Sequence, residues 1–348
     1  MASVLKVAAT LLWVVCFLLA QARSPEEQQL LRAIQANPKN PAAHREYAIF
    51  LQMQGRGGEA IAYFRTALDL NPRSAESSYN LALALLHAGR AADALQILDK
   101  YPSDAADALA LRGAVLNALG RFPEALAALR KAAALDPANP DTQYDLIITL
   151  LQTGGEKEAA AWIDKGLRKF PQVAKIHAAS GMLAYSSGDN DRAVKAYLTA
   201  VKLEPEAADL HASLGDVYNA SGDLTSAAKS YQRAIALDAS NAAYFVKRGR
   251  VLVKQQSPAA EQTFQQALRL DRNNGEAHFE IGKLLAARGD HTSAIDHYRR
   301  AVAAMPALKE AWYQLSLSYR RAGRNDDAAA ALTEFRKLSK ETSPEPAR

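Results

Sequence analysis

An alanine returns along this chain at Ala60, Ala94, Ala125, Ala159, Ala193, Ala227, Ala260, Ala294 and Ala328, in steps of 34, 31, 34, 34, 34, 33, 34 and 34 residues. A period held this closely means a stack of one supersecondary unit, not a single core that grows with length. The 348 residues, which by length alone suggest two or three domains, are therefore better counted in repeats. Other positions keep the same register. Four residues after each alanine stands a large apolar residue: Phe64, Leu98, Leu129, Ile163, Tyr197, Tyr231, Phe264, Tyr298 and Leu332. Twelve before it the residue is usually small, as at Ala48, Ala82, Gly113, Gly181, Gly215 and Ser316, with Ile147 the exception. Five before it stands a glycine in eight of the nine units, and many units close on a proline such as Pro72, Pro137, Pro171, Pro205 or Pro306.

These marks read as two helices per unit. The glycine ends the first helix in a left-handed conformation. The proline stops the second, because it cannot continue a helix and restricts the residue before it. Within each helix the apolar residues fall at i, i+3, i+4 and i+7, one stripe per helix. The small residue and the alanine mark the place where the two helices cross closely. Composition agrees. Hydrophobic residues make up 49% of the chain and aromatics only 7%, much of the remainder being alanine, the best helix former. No sustained alternation of Val, Ile and Thr suggests a strand, so the expected class is all-α.

The residues resemble the tetratricopeptide repeat, a 34-residue helix-turn-helix with the pattern W-x2-L-G-x2-Y, A-x3-F, A, P. One unit reads His278-x2-Ile281-Gly282-x2-Leu285, then Ala294, Tyr298, Ala301 and Pro306; the next reads Trp312-x2-Leu315-Ser316-x2-Tyr319, then Ala328. A third reads His211-x2-Leu214-Gly215-x2-Tyr218, Ala227, Tyr231 and Ala234. The resemblance covers about residues 24–340 and implies a right-handed superhelical solenoid. Nine repeats are expected at 41–74, 75–105, 106–139, 140–173, 174–207, 208–241, 242–274, 275–308 and 309–342, with a capping helix within 24–40. Two units depart from the pattern: the second is three residues short around Asp99–Asp104, and the seventh has Gln255-Gln-Ser-Pro258 where the glycine belongs. Each departure reads either as a tolerated loop change or as a break that shapes a binding site.

For function the resemblance implies a non-catalytic scaffold holding protein or peptide segments on the concave face lined by the first helices. Positions 2, 5, 9, 12 and 13 of each repeat would point into it. Position 5 carries Tyr79, Tyr144, Phe279 and Tyr313, and the same face of repeats 7–9 carries Arg250, Lys254, Lys283, Arg320 and Arg321 against Glu276 and Glu310. Aromatic and arginine side chains dominate binding energy at interfaces, so repeats 7–9 are the candidate groove for an extended acidic segment. The carboxylate clamp of the family's chaperone-tail binders is not matched: Arg45 and Asn80 fit, but Ile49 and Asp107 stand where Asn and Lys are required.

The first 22 residues form a separate element. Lys6 precedes the 14-residue apolar run Val7–Ala20, which leads to Ala20-Gln21-Ala22. A positive start, an apolar core too short to span a bilayer comfortably and a small-x-small end make a signal peptide cleaved after Ala22. The expected location is periplasmic or secreted, with no membrane span after cleavage. The alternative is an anchor formed by residues 7–20, which would make the chain a tethered component of an envelope assembly, secretion or polysaccharide-export machine.

Chemistry is harder to find. The one cysteine, Cys16, lies in the apolar start, so the repeats carry no thiolate nucleophile, disulfide or Cys-bound zinc. There is no phosphate loop, nucleophile elbow or H-E-x-x-H. His44, His177, His211 and His278 share one repeat position, where the family favours Trp. Neighbouring copies of that position lie roughly 10 Å apart, too far to share one metal, so they read as packing residues. The sequon Asn219-Ala-Ser221 sits at a helix end and reads as incidental. No catalytic residue, metal site or cofactor is expected; the remaining alternative is a regulatory subunit of an enzyme. The net charge of +5 is spread without a run of five like charges, which argues against nucleic acid. Repeat 9 runs through Leu332, Phe335 and Leu338 into the polar stretch Lys340–Arg348, whose residues 343–348 read as a disordered tail. With no extra capping helix, those apolar residues are expected to be exposed and to mark a self-association surface.

Overall fold

The computed structural model describes residues 24–341. The predicted signal peptide 1–22 and the predicted tail 343–348 lie outside the described residues. Within them the chain forms nineteen α-helices and no strand. It makes two compact units that divide after Trp162.

In the first unit the helices are α1 (Pro25–Ala36), α2 (Pro41–Met53), α3 (Gly57–Leu70), α4 (Ala75–His87), α5 (Ala91–Lys100), α6 (Ala106–Ala118), α7 (Phe122–Leu135) and α8 (Pro140–Gln152). The division falls inside α9 (Glu156–Lys169). The second unit continues with α10 (Ala174–Ser186), α11 (Asn190–Leu203), α12 (Ala208–Ala220), α13 (Leu224–Leu237) and α14 (Ala242–Lys254). It ends with α15 (Ala259–Leu270), α16 (Gly275–Ala287), α17 (His291–Ala304), α18 (Lys309–Arg321) and α19 (Asn325–Glu341). Apart from α9, at the division, consecutive helices within each unit pack on each other, first helix against second within a repeat and second against the next first.

Local chemistry sets the helix ends. Side chains of Ser24, Asn40, Ser74, Asn139, Asp223, Asn274 and Asp290 accept from backbone N–H groups of the turn they begin. Such caps satisfy donors that the helix itself cannot. The alanine of the register is buried in all nine units, and the large residue four positions later is buried in all but the last, where Leu332 is half-buried. The close crossing is explicit at Gly215, where an added Cβ would come 2.8 Å from the buried Tyr231 ring.

The two irregular repeats resolve differently. In repeat 2 the second helix keeps 10 residues where its neighbours have 14. The loop that replaces the missing turn leaves a cavity of about 270 Å³ between Leu98 and Leu109, edged by an Arg112–Asp99 ion pair at 2.7 Å. In repeat 7 the turn keeps its path. Gln256 takes the left-handed conformation (φ 55°) that glycine holds in the other eight turns. Counting twelve back from Ala260 lands on Arg248, but Gly249 is the residue that meets the Phe264 ring, because this turn is one residue shorter.

The first helix is fastened by polar contacts. Glu27 of α1, only 5% exposed, accepts from Tyr47 Oη at 2.9 Å and Arg56 Nη1 at 2.8 Å, which fixes α1 on α2. At the other end the expectation of exposed apolar residues is corrected. Leu332, Phe335 and Leu338 are half-buried, and the Phe335 ring lies 5.2 Å from that of Tyr313. The site that is buried and apolar at Leu68, Ile235 and Val302 is taken in repeat 9 by the exposed Arg336.

Candidate functional site

The fourth residue of six of the nine first helices has a function the sequence only half discloses. His44 Nε2 lies 2.8 Å from Pro38 O, His177 Nε2 2.9 Å from Pro171 O, His211 Nε2 2.9 Å from Pro205 O and His278 Nε2 3.0 Å from Arg272 O. Trp312 Nε1 donates to Pro306 O at 2.9 Å, and Gln143 Nε2 to Pro137 O at 3.2 Å. In each case the acceptor lies six residues back, in the turn from the preceding repeat. A carbonyl only accepts, so each histidine carries its proton on Nε2. Histidine thus replaces tryptophan here because it offers the same ring N–H. Gln143 offers an amide N–H instead and carries no aromatic mark by which to find it. The expectation of packing residues is refined: these groups pack and also bind a backbone carbonyl.

His278 has a second contact. Its Nδ1 is 3.0 Å from Nδ1 of His297 on α17. Since Nε2 of His278 holds a proton, neutral His278 accepts at Nδ1 and His297 donates. Burial lowers the pKa of both rings, and for His297 the neighbouring His278 and Arg300 lower it further. No group of three or more His, Cys, Asp or Glu side chains suited to a metal occurs among the described residues.

In the first unit the first-helix face is mainly apolar. Ile49 is 38% and Met53 80% exposed, and Leu83, Leu86, Ile148 and Leu151 are half-buried beside them. A cavity of about 590 Å³ opens between the ends of α2 and α4, lined by Gln52, Met53, Leu83 and His87 among others. Of the predicted groove residues, Tyr79 and Tyr144 belong here. Both are half-buried, and burial raises their hydroxyl pKa, helped by the carboxylates of Asp107 and Asp145 respectively.

The second unit presents a charged face. Asp216 accepts from Tyr231 Oη at 2.6 Å and Lys247 Nζ at 2.7 Å. Glu280, whose side chain is 8% exposed, accepts from Arg250 Nε at 2.9 Å and Lys283 Nζ at 2.8 Å, while Arg250 Nη1 also lies 3.3 Å from Glu276. The structure therefore spends two of the five predicted cations on one carboxylate. Freeing them for an acidic ligand would strand Glu280 in a dry setting, at a cost of about 3–5 kcal/mol. Lys254 donates only to the neutral Asn219 Oδ1, at 2.7 Å. Arg320 and Arg321 are exposed, and no ion pair reaches either among the described residues. Phe279 lies under Lys283 Nζ at 5.3 Å and against Tyr298 at 6.0 Å, so its ring is half spent on packing. Tyr313 stays 41% exposed. Lys254, Tyr313, Arg320 and Arg321 are thus the members of the predicted groove that remain available in repeats 7–9.

Comparison with known proteins matches three family models, each described as tetratricopeptide repeat. One matches residues 27–69, 179–242 and 247–308, a second 51–115 and 116–183, and a third 310–341. Over 48 residues the chain is 50% identical to the protein O-mannosyl-transferase TMTC1 of Homo sapiens and of Mus musculus. That match takes in 14% of this chain and spans 5% of the length of those proteins. Among solved structures, the APC/C hetero-tetramer Cut9–Hcn1 aligns with TM-score 0.57 and 19% identity, over 84% of this chain and 58% of that one. Pseudomonas aeruginosa PilF aligns with TM-score 0.52 and 21% identity, over 60% of this chain and 99% of that one. These likenesses are ones of fold. No described helix is long and apolar enough to cross a membrane.

Proposed function

Because the chain belongs to the tetratricopeptide repeat family, we propose that it is a non-catalytic scaffold that binds protein or peptide segments on its first-helix faces. One observation carries the reading for repeats 7–9. On a face where Arg250 and Lys283 are both held by Glu280, Arg320 and Arg321 stand exposed with no ion pair, two turns along the same helix from the 41% exposed Tyr313. A guanidinium pair with an aromatic neighbour suits an acidic peptide, through bidentate bonds to carboxylates and stacking on the ring. Lys254, two repeats away, extends the site by roughly 20 Å, about six residues of extended chain. Binding an acidic peptide series by fluorescence anisotropy tests this. Arg320→Glu/Arg321→Glu should weaken binding by at least about tenfold and flatten its dependence on salt; unchanged affinity would refute it.

The reading further places the protein outside the cytoplasm, on the strength of Lys6, the Val7–Ala20 run and Ala20-Gln21-Ala22. The second reading, a membrane-tethered assembly component, differs at the same residues. Intact mass of the protein from its own cells separates the two: loss of residues 1–22 supports the exported scaffold, and retention supports the tether. An enzyme's regulatory subunit is the third reading, and copurification with a single catalytic chain would favour it. Self-association through repeat 9 predicts a concentration-dependent mass that Arg336→Glu alters.

A further inference from the structure

The apolar face of the first unit contains one carboxylate that its surroundings do not explain. Asp145 lies on α8, at the sixth residue of its repeat, among Ile148, Leu151 and Tyr144. Desolvation is the one influence acting on its carboxyl group, with no hydrogen bond or cation to offset it. At the equivalent place in repeat 8, Glu280 holds two cations, and nearby Asp216 holds a lysine and a tyrosine hydroxyl. A carboxylate half withdrawn from water is costly unless something pairs with it.

A second unsatisfied group lies one turn away. Asn117 of α6 donates through Nδ2 to Thr149 Oγ1 at 2.7 Å. The Thr149 hydroxyl spends its own proton on the Asp145 main-chain oxygen at 2.7 Å. The amide orientation is therefore fixed: the atom facing Thr149 must be the donor, and Oδ1 points elsewhere. That Oδ1 is buried and has no partner. Residues four apart on a helix have Cβ atoms about 5–6 Å apart, so Asp145 and Thr149, the residue to which Asn117 is bonded, are neighbours on one face of α8. The two groups left without a partner there, the Asp145 carboxylate and Asn117 Oδ1, are both acceptors.

A vacancy made only of acceptors, one of them charged, is complementary to a cation with several N–H donors. On α8 itself Ile148 and Leu151 are half-buried, and farther along the first-helix faces, in repeats 1 and 2, the partly exposed residues are apolar too: Ile49, Met53, Leu83 and Leu86. The cavity of about 590 Å³ at Met53 and Leu83 has the volume of an ordinary ligand pocket.

We propose that the first-helix face of residues 41–152 binds an apolar peptide segment carrying one arginine or lysine, whose cation seats between the Asp145 carboxylate and Asn117 Oδ1. This rests on the reading that first-helix faces hold partner segments, and it makes the two units different in taste. The first selects an apolar segment with a single positive charge, and the second an acidic one.

The experiment pans a random 15-residue peptide library on the purified full chain, then repeats the selection on Asp145→Asn and on Met53→Glu. Met53 is 80% exposed, so its replacement leaves the fold intact, as circular dichroism will verify. Peptides selected by the parent protein should share an apolar pattern with an arginine or lysine at one fixed place. Replacing that cation by norleucine, or Asp145 by Asn, should each weaken binding by about tenfold or more, and the two together no further. Asp145→Arg should bind a peptide whose cation is changed to glutamate. Peptides that need Met53 but ignore Asp145→Asn would overturn the cation seat and leave the scaffold reading standing. No enrichment, or binding indifferent to both substitutions, would overturn both. A dimer seen by sedimentation and abolished by Met53→Glu would give the face to a second copy and overturn the proposal.

Discussion

Gln256 is held at φ 55° in a turn where eight sister turns use glycine at 71–83°. An L side chain in this left-handed region costs about 1–2 kcal/mol. Glycine removes that cost but widens the unfolded ensemble, at about 0.4–1 kcal/mol. Gln256→Gly should therefore stabilise repeat 7 by a net ~0.5–1 kcal/mol. Little opposes this, because the Gln256 side chain is exposed and the backbone bonds need not change. Ser257 N–H already donates to Leu252 O at 2.9 Å, just as Asp189 N–H donates to Ala184 O at 2.9 Å after Gly188. Arrays open locally, so a single global midpoint is the wrong observable. Amide hydrogen exchange over residues 242–270 reports the local opening free energy. Protection there should rise about two- to fivefold in Gln256→Gly, with distant repeats unchanged. The reciprocal Gly188→Gln should lower protection in repeat 5 by about the same factor. Equal protection in both variants and the parent would show that the turn imposes no left-handed cost, and the reasoning would fail.

Gly215→Ala places a methyl against the buried Tyr231 ring; overpacking of about 1–3 kcal/mol should raise exchange in α12 and α13. The His278–His297 pair has folded pKa values below the unfolded one near 6.5. Its contribution is therefore complete above that pH and fades as pH falls through the folded values, because two protonated rings cannot share the 3.0 Å contact. Amide exchange over residues 275–308, corrected for intrinsic rates, should show lower protection at pH 5 than at pH 7.5 in the parent, a difference that His297→Leu reduces. Glu27→Ala leaves Tyr47 Oη without its acceptor and Arg56 with Glu59 alone; a loss of about 2 kcal/mol confined to α1 should expose residues 24–40 to limited proteolysis.

The helical array was legible because its constraints repeat. A close crossing admits only a small residue at Gly215 and its counterparts, and a helix-ending turn favours glycine, so both leave marks every 34 residues or so. Pairing was not legible in the same way. Glu280 captures Arg250 from thirty residues upstream, and neither residue type is required by the fold. Only laying repeats 7 and 8 side by side, with the first three-dimensional neighbour of position 9 identified, would have revealed it. Gly249 was missed because a one-residue deletion shifts the count, and Gln143 because an amide does not look like an indole. The Asp145 vacancy depends on what is missing around a side chain, and a sequence records only what is present.

The ring-to-carbonyl bond at the fourth residue of a first helix has a mechanical meaning. It fastens the bend between two repeats, so a pull along the chain must break it before that bend can straighten. Three bends have no such fastening: Ser78 turns its hydroxyl to Ala75 O, and Leu109 and Phe245 have no donor to offer. They are the entrances to repeats 2, 3 and 7, so the unfastened bends fall on or beside the two repeats that depart from the common length. Under load these bends are the seams at which the protein lengthens first.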